Sequence, residues 1–163
     1  MLIEDRDRKL LRAIALYQRH RGRRDPLSRL KCAWGKLGHV WWSIISASDI
    51  SRDARIDPSV RIPHPTGVVI HAQAVVEADC IIMQQVTLGQ RAERGAPVVG
   101  RGAYLGAGAR ILGPVRIGEG ARIGANAVVL SDVPPHSTVV GIPARVVARR
   151  GDEEDGLDSR PRP

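Results

Sequence analysis

The sequence predicts a mainly β protein, a parallel β-helix of three-sided coils over residues 49–149, preceded by a helical arm (1–48) and followed by a charged tail (150–163). Three observations carry this. An aliphatic residue returns at every sixth position, a small or β-branched residue follows four positions after it, and the flanking regions show neither pattern. With anchors at Ile50, Ile56, Ile62, Ile70, Val76, Ile82 and Leu88, then Val99, Leu105, Ile111, Ile117, Ile123, Val129 and Pro135, thirteen of fourteen are aliphatic once two slips are allowed. A period of six fits neither an amphipathic helix nor a simple strand. It fits a chain that turns a corner every six residues, with two side chains per flat face pointing inward. Three such faces close a coil, and coils stacked in parallel at ~4.8 Å give about five of them.

In chain order, the arm comes first. Glu4 to His20 reads as a helix with Leu10, Ile14 and Tyr17 on one stripe, ended by RGRRDP. A second helix spans Leu27 to Ser46, where Leu27, Leu30, Trp34, Leu37, Trp41 and Ile44 recur at spacings of three and four. Such a stripe needs cover, which the β-helix or a neighbouring subunit is expected to supply. An interfacial membrane role, suggested by Trp41, Trp42 and the flanking basic residues, is the less favoured reading.

The net charge of +8 is concentrated here, with +7 on residues 1–48, +3 on 49–149 and −2 on 150–163. A solvated basic face is the plain interpretation; an acidic glycan, a lipid headgroup or a CoA phosphate is the alternative. No aromatic platform or binding motif accompanies the charge, which argues against nucleic acid.

In the coils, the small inward positions are Ala54, Val60, Thr66, Ala74, Cys80, Val86, Ala103, Ala109, Val115, Ala121, Ala127, Val133 and Val139. Gly100, Gly106, Gly118 and Gly124 are expected at the corners, where positive φ costs glycine little. The slips are a two-residue insertion in PHPTGVV and a five-residue insertion in GQRAERGAP. The tail RRGDEEDGLDSRPRP is almost free of apolar residues and reads as disordered. No stretch is apolar enough to span a membrane, the charged N-terminus is unlike a secretory signal, and two cysteines make no disulfide framework. A reducing cytoplasm is expected.

Loops that interrupt a rigid repeat are where chemistry is built. The first insertion carries His64, and Asp49 lies fifteen residues earlier, nearly one coil, so both can meet at one edge. A carboxylate there can hold one imidazole nitrogen while the other takes a proton from a hydroxyl. By spacing alone, a turn histidine with a structural hydrogen bond is the better reading of His64. His71 reads as a surface residue close enough to line an acceptor pocket, His136 as part of the turn closing the last coil, and His20 and His39 as helix residues. No trio of histidines converges from adjacent coils, so no metal is expected.

The run DISRDARIDPSVRIPHPTGVVI, then QQVTLG, then LGAGARILGPVRIGEGARIGANAVVLSDVPPHSTVVGIPARVV resembles the serine acetyltransferase branch of the hexapeptide-repeat acyltransferases, over roughly residues 36–149. The resemblance implies a left-handed parallel β-helix, an exception to the usual right-handed crossover. It also implies a homotrimer with acetyl-CoA as cosubstrate in the groove between subunits. The family's catalytic histidine falls on His64 and its partner aspartate on Asp49. The backbone amides that approach the thioester oxygen fall on Gly89 and Gln90, and the main-chain pantetheine contacts on Ala107 and Ala125.

Departures from the pattern bear on the acceptor. Serine acetyltransferases carry an aspartate before the histidine, which holds the amino group of serine; here it is Pro63. An Arg-His pair that holds the carboxylate is replaced by Gly95 and Ala96. Arg91 or Arg94 could replace the carboxylate contact, and Asp53 or Glu93 the amine contact. The tail ends in Pro163 rather than isoleucine, so a cysteine-synthase partner is not expected, and the arm is much shorter than the family's helical domain.

The expected activity is acetyl-CoA-dependent O-acetylation. His64 acts as base, Asp49 orients it and backbone amides hold the oxyanion. Neither Cys80 nor a Ser-His pair offers a covalent relay. The missing clamps favour a sugar hydroxyl of a surface polysaccharide or its precursor as acceptor, with L-serine as the alternative and a non-catalytic assembly module as a third reading.

Overall fold

A computed structural model of the chain describes residues 5–91 and 95–149. The expected tail lies outside the described residues. Two helices, α1 (Arg6–His20) and α2 (Pro26–Ser46), precede the coils. One face of the β-helix stacks β1 (Asp49–Ile50), β3 (Val69–Ile70), β6 (Thr87–Gly89), β9 (Arg110–Leu112) and β12 (Val128–Val129). The second stacks β2 (Arg55–Ile56), β4 (Val75–Val76), β7 (Val98–Val99) and β10 (Arg116–Ile117). The third stacks β5 (Ile81–Ile82), β8 (Tyr104–Leu105), β11 (Arg122–Ile123) and β13 (Ser137–Gly141), with β14 (Ala144–Arg149) folding back antiparallel on β13.

Register shows both insertions directly. Val69 pairs with Thr87 and Arg110 with Val128, a plain coil of eighteen residues. Asp49 pairs with Val69, twenty residues on, and Thr87 with Arg110, twenty-three on. The extra two and five residues therefore bulge out without disturbing the stack. Arg122 pairs with Thr138, sixteen on, so the turn around His136 is two residues short where the last coil closes.

Between the three faces runs one apolar column in which Ile62, Ile70, Ile82, Leu88, Leu105, Ile111, Ile117 and Ile123 are at most 1% exposed. Each such burial contributes about 1.5–3 kcal/mol relative to exposure. Three of the expected inward positions differ, Ile56 by being only half-buried where it packs against the core. Thr66 is exposed and Val68 is fully buried, because the insertion shifts the slot by two residues. Pro135 is exposed in the shortened last turn.

The glycine expectation is also corrected. Gly100, Gly106, Gly118 and Gly124 do not take positive φ; they are places where the next coil comes too close for a side chain. A Cβ on Gly106 would lie 2.7 Å from the backbone nitrogen of Ala125, and one on Gly118 2.3 Å from that of Pro135. The left-handed corners fall two residues later, as one ladder of Gly67, Gln85, Gly108 and Asn126 and another of Asp79, Gly102, Gly120 and His136.

The arm differs most from expectation. Helix α1, not α2, covers the end of the β-helix: Leu10 and Ile14 join its core, and Gln18 Nε2 donates to the carbonyls of Arg52 and Ala54 at 2.8 Å. Helix α2 starts at an N-cap where Asp25 accepts from the Ser28 amide at 2.8 Å, which holds the Asp25 carboxyl below its ordinary range. It packs on α1 where Gly35 meets the Tyr17 backbone. Its stripe of Leu27, Leu30, Trp34, Leu37, Trp41 and Ile44 does not cover the β-helix; each is 56–72% exposed.

Candidate active site

His64 sits at the crest of the first insertion, exposed, between exposed Pro63 and buried Pro65. The turn is fastened at its base. Val68 N–H donates to Pro65 O at 3.1 Å, Gly67 N–H to Ala47 O at 2.7 Å, and Asp49 N–H to Val68 O at 2.9 Å. These bonds lay the His64 turn over the segment ending in Asp49, whose carboxylate is also exposed. Among the described residues no hydrogen bond or ion pair joins the two side chains. The backbone brings the two exposed residues to one edge.

Three residues that sequence reasoning missed support this edge. Asp7, only 4% exposed on α1, accepts from the Ile62 amide at 3.2 Å, two residues before His64, with Arg61 Nε 3.5 Å away. His39 Nε2 donates to Ile50 O at 2.8 Å, tying α2 to the residue after Asp49, and its Nδ1 is buried with no partner among the described residues. Gln18 holds the turn at Arg52 to Ala54. In sequence Asp7 is only an acid in a first helical turn, indistinguishable from a charge favoured by the helix dipole.

Gly89 ends β6, half-buried, and its carbonyl accepts from Gly113 N–H at 2.9 Å. Gln90 follows, exposed. Ala107 and Ala125 occupy equivalent corners on successive coils, and the Ala107 carbonyl accepts from Asn126 N–H at 2.8 Å. Among the described residues the amides of Gln90, Ala107 and Ala125 donate to no carbonyl; Ala107 and Ala125 lie at the corner that enters the face of β6, β9 and β12, as His64 does one strand earlier, and Gln90 lies at the corner that leaves it. Beside Ala107 and Ala125 runs an open groove of about 550 Å³ lined by Gly67, Gln85, Thr87, Gly108, Arg110 and Asn126. It starts three residues from His64 and crosses three coil spacings, about 14 Å at ~4.8 Å each.

The secondary candidates are less free. His71 is half-buried, and its Nδ1 accepts from the Gln73 amide at 3.2 Å, a local turn bond. Asp53 is ion-paired with Arg21. Arg91 lies across Gly113, its Cδ 3.3 Å from where a Cβ would stand. Arg94 and Glu93 lie outside the described residues. Gly95, at φ 126°, has Pro114 Cβ 2.8 Å from the place of its own missing Cβ, so a side chain there is opposed by both backbone and neighbour. Cys80 points into the core; its Sγ donates to Gly100 O at 3.2 Å, and burial pushes its thiol up to about 11. A neutral, enclosed thiol is no nucleophile.

Residues 96–131 match the family model for the bacterial transferase hexapeptide of six repeats. The chain is 41% identical over 119 residues to a serine acetyltransferase of Escherichia coli (strain K12), covering 71% of this chain and 44% of that protein. The chain carries the hexapeptide repeat of bacterial transferases and is similar to serine acetyltransferases. Its left-handed parallel β-helix is shared with solved serine acetyltransferases. One from Brucella abortus strain S19, in complex with coenzyme A, superposes with a TM-score of 0.73 at 31% identity, covering 88% of this chain and 54% of that one. Another, from Neisseria gonorrhoeae and in complex with serine, gives 0.70 at 34% identity over 83% and 54%. The chain spans about half the length of these relatives.

Proposed function

We propose that this protein transfers the acetyl group of acetyl-CoA directly to the side-chain hydroxyl of L-serine, as a homotrimer. The observation that carries the reading is the edge that His64 and Asp49 share with the unpaired amides of Ala107 and Ala125 and the adjoining groove. The sugar acceptor favoured by the missing clamps yields to serine, because the relatives named above are serine acetyltransferases and one is in complex with serine.

In the proposed reaction, the pantetheine arm lies along the groove against the Ala107 and Ala125 amides, with the thioester at the His64 end. His64 takes the hydroxyl proton as the serine oxygen attacks the thioester carbon. The amides of Gly89 and Gln90 hold the charge that develops on the thioester oxygen; backbone donors survive the change of side chain at position 90. His64 then returns the proton to the departing sulfur, giving O-acetyl-L-serine and free CoA. Asp49 stabilises the imidazolium and fixes its tautomer. A non-catalytic module would have no use for this pair beside a groove.

The two ends of serine must then be held by groups other than the family's usual ones, since Pro63 carries no charge and position 95 resists a side chain. The test is kcat/KM for L-serine beside L-serine methyl ester and N-acetyl-L-serine. A rebuilt amino-acid pocket loses about 10- to 100-fold when either charge is masked, the worth of one charge-assisted hydrogen bond. Absence of turnover with L-serine, with acetyl-CoA still bound, overturns the serine assignment.

A further inference from the structure

The largest unexplained feature of the molecule is the outward face of α2. Leu27, Leu30, Trp34, Leu37, Val40, Trp41, Ile44 and Ile45 are each 40–72% exposed and form one stripe along a 21-residue helix. Eight large apolar side chains side by side exceed the few hundred Å² of apolar patch that a soluble surface ordinarily carries. The opposite side of α2, with Ser28, Gly35 and Ser46, is already buried against α1, so the exposed stripe cannot be satisfied by turning the helix over.

What covers it is indicated by charge. At 100° per residue, Arg29 and Lys36 fall on one flank of the stripe and Lys31 on the other, all exposed, with Arg23 and Arg24 exposed just before the helix. Lys36 also reaches over the Tyr17 ring, 5.9 Å from its centroid. Helix α2 contains no acidic residue. A second copy of α2 would bring one cationic rim against another with nothing to neutralise it, and like charges across an interface oppose association. A flat anionic surface meets both requirements: it accepts the apolar stripe and pairs the rim. The position of Trp34 and Trp41 on the stripe, and of long basic side chains able to snorkel beside it, matches a helix lying in a bilayer interface. Helix α2 is not long and apolar enough to cross a membrane.

We propose that α2 docks this protein on an anionic bilayer surface, with its stripe sunk into the headgroup region and Arg29 and Lys31 against the lipid phosphates. The inference rests on the arm alone and is independent of the acceptor.

The test is co-sedimentation of the full chain with phosphatidylcholine vesicles and with vesicles also containing ~30% phosphatidylglycerol, whose surface potential attracts basic segments. Binding to the anionic vesicles is expected to be at least ~10-fold tighter, to weaken with salt, and to shift tryptophan emission to the blue. The double variant Leu37→Glu with Trp41→Glu is expected to lose that binding ~10-fold or more while keeping acetyl-CoA turnover. Should the glutamates disturb folding, Trp34→Ser with Trp41→Ser makes the same test. Equal binding to neutral vesicles, or none to either, overturns the proposal. So does a fall in native mass of the glutamate variant by light scattering, which would identify a second copy as the cover.

Discussion

The β-helix and the helical arm are both amphipathic, yet only the β-helix satisfies its own apolar residues. In the coils each inward side chain stacks on its counterpart one turn away in the same chain, so Ile70, Leu88 and Ile111 find their neighbours through register alone. In the arm, α1 is covered by the coils, whereas α2 rests on α1 and turns its longest apolar stripe outward. A repeat specifies its partner because the partner is the repeat itself. An amphipathic helix specifies only that some cover is needed.

That contrast can be broken most forcefully at two close-packed glycines. Gly106→Ala places a Cβ 2.7 Å from backbone atoms of the next coil. Because coils cannot part locally without losing their ladder, a loss of about 1–3 kcal/mol or more is expected, seen as a lowered melting temperature for the whole β-helix. Gly35→Ala places a Cβ equally close to the Tyr17 backbone in the arm. Here tryptophan emission should report a loosened α2 while the β-sheet melt stays in place. A common shift in both signals would show that arm and coils unfold as one unit.

Asp7 sharpens the comparison, because it joins the two regions. Asp7→Ala leaves the Ile62 amide without an acceptor beneath the His64 turn, a cost of about 1–3 kcal/mol. Asp7→Asn keeps an acceptor and should lose less. If the arm positions the site, Asp7→Ala lowers kcat more than it weakens acetyl-CoA binding, and the asparagine variant recovers much of the loss. Unchanged kcat would make Asp7 structural only.

The smallest effect separates the cysteines. Burial holds the Cys80 thiol up at about 11, so at pH 8 it stays protonated inside the column, while Cys32 on α2 is half-buried. Labelling of Cys80 by a thiol reagent should be roughly 10²-fold slower than labelling of Cys32. Comparable rates would mean that the coils open far more readily than their packing implies.

What the sequence made legible follows the same divide. The repeat set the anchors, both insertions and the coil length, because each fact is a spacing and spacing becomes register. The slot at Thr66 was misplaced because the position of two extra residues within a turn is decided by which residue the core accepts, here Val68. The corner glycines were found for the wrong reason, since the approach of the next coil is a tertiary distance. His64 and Asp49 were placed at one edge by spacing and assigned roles by resemblance. Asp7, His39 and Gln18 were invisible, because each acts across a long sequence separation on a backbone atom, which leaves no local pattern. The destination of the α2 stripe was likewise unreadable, as periodicity carries no information about which surface is near.

The central claim is that His64 is the base of an acetyl transfer to serine at this edge. The most direct measurement is CoA thiol release from acetyl-CoA and L-serine by the wild-type protein and by His64→Ala, with acetyl-CoA binding measured alongside. A fall in turnover of about 10²- to 10⁴-fold with binding intact is the predicted result. Turnover by His64→Ala close to that of the wild type would contradict the account.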